Sequence, residues 1–288
     1  MNTQSRLRPA LLLLALAAGS APAETLLERG TYLMEGIVAC GNCHTPKNAD
    51  ATEIEGMEYA GAFVIEEPGL KAYAPNITPD PETGIGSWSD KELIVAIRDG
   101  LRPDGSLIGP PMPSPYYAKM SDRDVRAIVA YLRNVKPIVN TVPKSEYEIP
   151  LPPNYGPRVE TVAEVSRDDP VVYGDYVTNA LGHCTECHTP MVKGVHQMDR
   201  IGEGGRIFPN IFGLGTIIVS RNITSHPDVG LGEWSDDEIK RAITEGVGRD
   251  GRSMAKGMAY AYYKRISDED LDAIVAYLRS LPAMPPVN

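Results

Sequence analysis

Hydrophobic and polar residues follow one another along much of this chain with the spacing of amphipathic helices. Residues 25–39 carry leucine, tyrosine, isoleucine and valine at helical intervals, which predicts a helix there. Apolar residues recur at the same spacing further along, at Val125, Ile128 and Leu132. This second pattern predicts a helix with one face on a core.

Serine followed by acidic residues marks the start of four predicted helices. These serines are Ser89, Ser121, Ser235 and Ser267. A serine side chain can accept a hydrogen bond from the first turn, and acidic residues there are stabilised by the helix dipole. Gly100 and Gly246 are suitable C-terminal stops for the helices that begin at Ser89 and Ser235. The predicted fold class is all-α.

The chain is an internal repeat of two similar halves. Cys40 corresponds to Cys184, and residues 127–133 have the same sequence as residues 273–279. The spacing between matching residues widens before Arg221, which indicates an inserted segment in the second half. Two homologous domains follow, each near the usual size of a domain.

The sequence divides the chain into four segments. Residues 1–23 are a predicted signal peptide, 24–136 the first domain, 137–170 a linker and 171–288 the second domain. The linker is rich in proline, which predicts an extended and semi-rigid connection.

The N-terminal segment has the pattern of a secretory signal. Arg6 and Arg8 precede an apolar stretch over residues 10–18, and Ala21-Pro22-Ala23 provides a cleavage site. The apolar stretch is shorter than the ~20 residues that a membrane-spanning helix needs. We therefore expect an exported protein with no transmembrane segment after signal removal.

All four cysteines lie in two copies of the pattern C-x-x-C-H, at residues 40–44 and 184–188. Two thiols three residues apart can reach the two vinyl groups of one porphyrin, and the adjacent histidine then lies under the iron. A C-x-x-C pair alone could be a thiol redox site or half a zinc site, but the repeated histidine favours haem. The predicted attachment residues of two covalent haem c groups are Cys40, Cys43, Cys184 and Cys187, and the predicted proximal ligands are His44 and His188. Because bacterial haem c is attached outside the cytoplasm, the motif and the signal together predict the periplasm.

The sixth iron ligand decides whether a haem transfers electrons or binds substrate. Met112 lies in the proline-flanked loop 109–113, and its repeat partner Met258 lies in residues 256–259, where the prolines are missing. We predict Met112 and Met258 as the sixth ligands. The histidines outside the motifs, which are expected to be structural or exposed, are His183, His196 and His226.

A backbone carbonyl is expected to accept the free N–H of each proximal histidine, which would fix the tautomer of the ring. Thr45-Pro46 and Thr189-Pro190 directly follow the two motifs, and they are the predicted source of these carbonyls.

The composition adds two constraints. The net charge of −10 disfavours nucleic acid as a partner and can steer the protein towards a positively charged surface. With only three phenylalanines and two tryptophans, two small domains need the haem to supply part of their apolar interior.

Several segments together resemble the haem domains of bacterial dehydrogenase-associated cytochromes c. These segments are residues 39–46, 75–80, 84–90 and 111–113. Such proteins include the cytochrome subunits of periplasmic alcohol, gluconate and aldehyde dehydrogenases. The resemblance covers nearly the whole mature chain, once in each domain.

The resemblance implies two tandem class I cytochrome c domains, with His44/Met112 and His188/Met258 as axial pairs. It implies electron transfer from a periplasmic dehydrogenase towards a terminal oxidase or another cytochrome of the respiratory chain. The alcohol and gluconate subunits typically carry three haems, whereas this chain has motifs for two. The identity of the dehydrogenase therefore does not transfer.

A dihaem cytochrome c peroxidase is the alternative reading, because that family also has two C-x-x-C-H motifs. Peroxide chemistry needs an iron with an open face, whereas both halves of this chain offer a methionine. A haem-based redox sensor would need an output domain, which the sequence does not contain. We therefore predict an electron-transfer protein and not an enzyme.

Overall fold

The computed structural model of the protein describes residues 23–192 and 194–285, so nearly all of the predicted signal peptide lies outside the described residues. The helices of the first half are α1 (Leu26–Glu35), α2 (Gly41–His44), α3 (Asp90–Arg98), α4 (Ser114–Tyr117) and α5 (Asp122–Asn134). The helices of the second half are α6 (Pro170–Asp175), α7 (Cys184–His188), α8 (Asp236–Glu245), α9 (Tyr260–Tyr263) and α10 (Asp268–Ser280), with a π-helical turn at Tyr176–Leu181 and a 3-10 turn at Met198–Arg200. None of the described helices is long and apolar enough to cross a membrane.

The four helices that the sequence predicts to start at a serine do so, with Ser89, Ser121, Ser235 and Ser267 as their N-caps. Ser89 is the N-cap of α3, and its side chain accepts a hydrogen bond from the N–H of Glu92, whose carboxylate bonds back to Ser89. Ser235 and Glu238 form the same reciprocal pair at the start of α8. Gly246 ends α8 with a φ of 65°, a left-handed conformation that glycine adopts without strain.

The first and last helices of each half cross at a glycine. A Cβ atom on Gly30 in α1 would overlap the carbonyl oxygen of Ala127 in α5. A Cβ atom on Gly174 in α6 would overlap the carbonyl oxygen of Ala273 in α10 in the same way. Only glycine lets the two backbones approach so closely. In each domain the first and last helices therefore pack directly against each other.

The prediction of an all-α fold is confirmed only in part. A three-stranded antiparallel sheet is formed, in spatial order, by β1 (Ala62–Glu67), β2 (Leu70–Ala74) and β3 (Glu146–Tyr147). Two short hairpins in the second half pair β4 (Met191–Val192) with β5 (Val195–His196), and β6 (Ile207–Phe208) with β7 (Ile218–Val219). The β1–β2 hairpin forms for local reasons. Alternate residues of β2 are buried, and Gly69 provides the turn after β1 with a φ of 83°.

The linker runs in an extended form along the first domain. The N–H of Val159 donates to the carboxylate of Asp99 at 2.9 Å. The N–H of Asp122, at the start of α5, donates to the carbonyl of Val162 at 2.9 Å. This segment is therefore fastened to the domain that precedes it.

The two domains exchange hydrogen bonds with approximate two-fold symmetry. The hydroxyl of Tyr176 donates to Asp124 at 2.6 Å, and the hydroxyl of Tyr32 donates to Asp270 at 2.6 Å. Tyr32 and Tyr176 correspond to each other in the repeat, as do Asp124 and Asp270. Each domain thus supplies the same donor and the same acceptor to the other.

Replacing Gly30 with alanine is expected to lower the free energy of unfolding by about 1–3 kcal/mol, the usual cost of overpacking a filled core. The added methyl group would push α1 away from the Ala127 carbonyl. Urea denaturation measures the change. Arg126→Ala, on the exposed face of α5, is the control and should stay within about 0.5 kcal/mol of the parent. Equal stability of the Gly30→Ala variant and the parent would contradict this crossing.

Candidate functional site

Each C-x-x-C-H motif begins directly after a residue in the left-handed conformation. Ala39 has a φ of 48° before the first motif, and His183 has a φ of 39° before the second. Non-glycine residues pay strain energy for this conformation. Its recurrence at equivalent positions indicates that both motifs need the same sharp turn between the preceding helix and the motif helix.

All four cysteines are partly buried, and none of them forms a disulfide bond. Burial raises the pKa of each thiol to about 12, so each thiol keeps its proton until it reacts. Within each motif the two cysteines are three residues apart on one helical turn, which places them on the same side of the helix. This arrangement of two neutral thiols fits attachment to the two vinyl groups of one porphyrin.

The proximal histidines are oriented by backbone carbonyls. Nδ1 of His44 lies 2.7 Å from the carbonyl oxygen of Pro75, and Nδ1 of His188 lies 2.7 Å from that of Arg221. A carbonyl can only accept, so Nδ1 carries the proton and Nε2 keeps its lone pair. This is the tautomer that an iron ligand requires, and both rings therefore fit haem.

The prediction that Thr45-Pro46 and Thr189-Pro190 supply these carbonyls is wrong. The residue after each histidine is extended, so the chain leads away from the ring. The threonine hydroxyls form hydrogen bonds with later segments of the chain. The hydroxyl of Thr45 accepts from the N–H of Tyr59 at 3.1 Å, and that of Thr189 accepts from the N–H of Gly202 at 3.3 Å.

A repeated Asn-Ile-Thr segment holds each carbonyl in place. The side-chain oxygen of Asn76 accepts from the N–H and the hydroxyl of Thr78, at 2.9 and 2.8 Å. Asn222 and Thr224 repeat these bonds at 2.9 and 2.7 Å. The carbonyl that orients the histidine belongs to the residue just before each asparagine.

Met112 and Met258 lie in equivalent loops. Both side chains are partly buried and pack against the main core of the molecule. The N–H of Ile108 donates to the carbonyl of Gly100, just after α3, at 2.7 Å. The N–H of Met254 donates to the carbonyl of Gly246, just after α8, at the same distance. Met254 is thus the structural partner of Ile108, and Met258 is the partner of Met112.

The other histidines make protein contacts. Nδ1 of His226 accepts hydrogen bonds from the N–H groups of its own loop. Nε2 of His196 lies 2.8 Å from the carbonyl of Glu186, and the ring of His183 lies edge-on to that of Tyr117 at 5.7 Å between centroids. These contacts agree with a structural role.

The two motifs meet the same apolar cluster at the domain interface. The buried members of this cluster are Val64, Ile65, Leu70, Ala72, Ala74 and Phe208. Cys43 of the first motif and Cys187 of the second motif both pack against it. The inserted segment of the second domain extends this contact, because the N–H of Phe212 donates to the carbonyl of Val64 in β1 at 2.6 Å. The two attachment sites are therefore neighbours.

Each domain also supplies a tyrosine to the motif of the other. The hydroxyl of Tyr262 donates to Glu53 at 2.6 Å, and it lies so close to Gly41 that a Cβ atom there would overlap it. Its repeat partner Tyr116 lies beside the second motif, where burial and the charge of Glu186 raise its pKa to about 12. The ring of Tyr116 also lies edge-on to that of His196, at 6.2 Å between centroids. Sequence reasoning missed these residues, although a Tyr-Tyr pair begins four positions after each methionine.

Comparison with known proteins agrees with this geometry. The family model named Cytochrome c matches residues 27–136 and 175–282. The chain belongs to the cytochrome c family. Haem c bound covalently is the cofactor of this family, and the paired thiols and oriented histidines fit it.

Individual relatives are similar over most of this cytochrome. It is 35% identical over 300 residues to the cytochrome c subunit of a quinone alcohol dehydrogenase from Gluconobacter oxydans (strain 621H), covering 97% of this chain and 60% of the relative. It is 30% identical over 278 residues to the gluconate 2-dehydrogenase cytochrome c subunit of Pantoea cypripedii, covering 90% and 60%. A diheme cytochrome c-type protein of Cereibacter sphaeroides is 30% identical over 265 residues, covering 85% and 82%.

The resemblance to dehydrogenase-associated cytochromes c is thus confirmed. The cytochrome spans 60% of the length of the alcohol and gluconate dehydrogenase subunits that it matches. These relatives are named as cytochrome subunits, which agrees with the prediction of an electron-transfer protein and not an enzyme.

Burial lowers the pKa of the His44 imidazole from 6.5 to about 4. The ring is therefore neutral at physiological pH, which is the form that can bind a metal.

Proposed function

We propose that the protein is a periplasmic dihaem cytochrome c that transfers electrons from a dehydrogenase towards the respiratory chain. The observation that carries this proposal is the pair of complete, equivalent attachment motifs whose second cysteines, Cys43 and Cys187, pack against one apolar cluster. Haem c supplies one-electron iron chemistry when it is bound. Two such groups attached at neighbouring sites give an electron a route from one domain to the other.

The proposed site residues divide into attachment residues and iron ligands. Thioethers form at Cys40 and Cys43 in the first domain and at Cys184 and Cys187 in the second. The proposed axial pairs are His44 with Met112 and His188 with Met258. A methionine on each iron keeps water and peroxide away from it, which suits electron transfer and not peroxide turnover.

The proposed domains are residues 24–136 and 171–288, joined by the linker 137–170. The two regions that match the family lie within these bounds. The glycine crossings between α1 and α5, and between α6 and α10, support the same division.

A periplasmic dehydrogenase is the proposed electron donor, and a terminal oxidase or another cytochrome is the proposed acceptor. Relatives named as subunits of alcohol and gluconate dehydrogenases support the donor. The net charge of −10 favours docking onto positively charged surfaces and disfavours nucleic acid. The signal pattern of residues 1–23 supports export.

Purified protein is expected to have the mass of the polypeptide plus two haem groups. A variant with both Cys184→Ala and Cys187→Ala should carry one, because only the first motif can then form thioethers.

The intact protein should also be reduced rapidly when mixed with a quinone-dependent alcohol or gluconate dehydrogenase and its substrate. Mass spectrometry and stopped-flow absorption make these measurements. A haem-free mass, or peroxide turnover without reduction by either dehydrogenase, would overturn the proposed function.

The oxidised protein is expected to show the weak far-red band of methionine bound to ferric iron. Met112→Ala and Met258→Ala should each remove about half of its intensity, since each removes one thioether ligand. Met198→Ala is the matched control, because that side chain is 56% exposed and should leave the band unchanged. An unchanged band in Met258→Ala would mean that the second iron has another ligand or an open face.

A further inference from the structure

Two tyrosines of the linker contact the loop that contains Met112. The hydroxyl of Tyr147 donates to the carbonyl of Pro110 at 2.9 Å, and the hydroxyl of Tyr155 donates to the carbonyl of Ile108 at 3.0 Å. These carbonyls lie two and four residues before the methionine. The loop is therefore fastened from outside the first domain, at two points on one side of Met112.

Glycines on the domain make room for both rings. A Cβ atom on Gly109 would lie 2.5 Å from Cζ of Tyr147, and one on Gly100 would lie 2.8 Å from Cε2 of Tyr155. Tyr147 is itself fixed, because it pairs with Leu70 as part of β3. Burial raises the pKa of Tyr155 to about 12, so its hydroxyl stays protonated and able to donate.

The second domain supports its methionine loop with its own residues. Gly246 corresponds to Gly100, and a Cβ atom there would lie 2.8 Å from Cε2 of Tyr260, which belongs to α9 of the same domain. The hydroxyl of Tyr260 donates to Ala255 at 3.3 Å. A ring over this glycine thus recurs in both domains, although it comes from the linker in the first. The recurrence favours a role for the ring in supporting the loop.

We propose that Tyr147 and Tyr155 are positioning residues that hold Met112 on the first iron. The inference rests on the proposed axial ligation by Met112. Movement of the loop would carry Met112 away from the iron, and the two hydrogen bonds oppose that movement. The linker therefore sets how readily the first haem exchanges its sixth ligand, while the second haem depends on its own domain.

Imidazole titration of the full-length, haem-loaded oxidised protein tests the proposal, because imidazole competes with methionine for the iron. Met112→Ala opens the first iron and so identifies its binding phase. Tyr147→Phe and Tyr155→Phe each remove one hydroxyl and keep the ring. Each is expected to strengthen imidazole binding in that phase about fivefold, the usual value of one hydrogen bond, with the second phase unchanged.

Tyr73→Phe is the matched control. Its ring packs against Phe63 in the same sheet, and its hydroxyl makes no hydrogen bond among the described residues, so neither phase should change. Unchanged first-phase binding in both linker variants would overturn the proposal, and so would an equal change in both phases, which indicates general loosening. If Met112→Ala itself leaves both phases unchanged, the proposed axial ligand is wrong, which is a separate failure.

Discussion

Two buried carboxylates, Asp124 and Asp270, hold the helices and the domains of this cytochrome together. A buried carboxylate is stable only where charged or hydrogen-bonding partners surround it. Asp124, in the first turn of α5, binds the guanidinium of Arg29 in α1 at 2.7 Å and accepts from Tyr176 of the other domain. Asp270 accepts from Tyr32 across the interface. Each carboxylate thus joins the last helix of its own domain to the partner domain.

The two halves satisfy these carboxylates with different residues. Arg29 corresponds to Tyr173 in the repeat. The hydroxyl of Tyr173, which carries no charge, donates a hydrogen bond to the carboxylate of Asp270 at 2.9 Å. The positive charge at this point comes from Arg167 instead, which lies 3.4 Å from Asp270 and belongs to the linker. The linker therefore contributes to the second domain at Asp270 as well as to the methionine loop of the first. It is a structural part of both domains and more than a spacer.

The sequence predicts what depends on neighbouring residues and misses what depends on distant ones. The cap at Ser89, the attachment motifs and the equivalence of Met112 and Met258 all follow from local spacing or from the repeat. The acceptor at Pro75 and the crossing of Tyr262 into the other domain depend on how remote segments pack, which no local pattern records. The hairpin turn at Gly69 was detectable from its Pro-Gly pair and its alternation. Axial ligation by the methionines stays a prediction.

Tyr116 and Tyr262 also affect how a duplicated chain of this kind can evolve. Each side chain belongs to one half of the repeat and lies beside the motif of the other. A substitution at either position therefore acts on a haem site that the other half encodes. In a tandem array of independent units, one unit can be lost without such an effect on the others. Deleting either half of this molecule would leave the surviving motif without the tyrosine that lies against it.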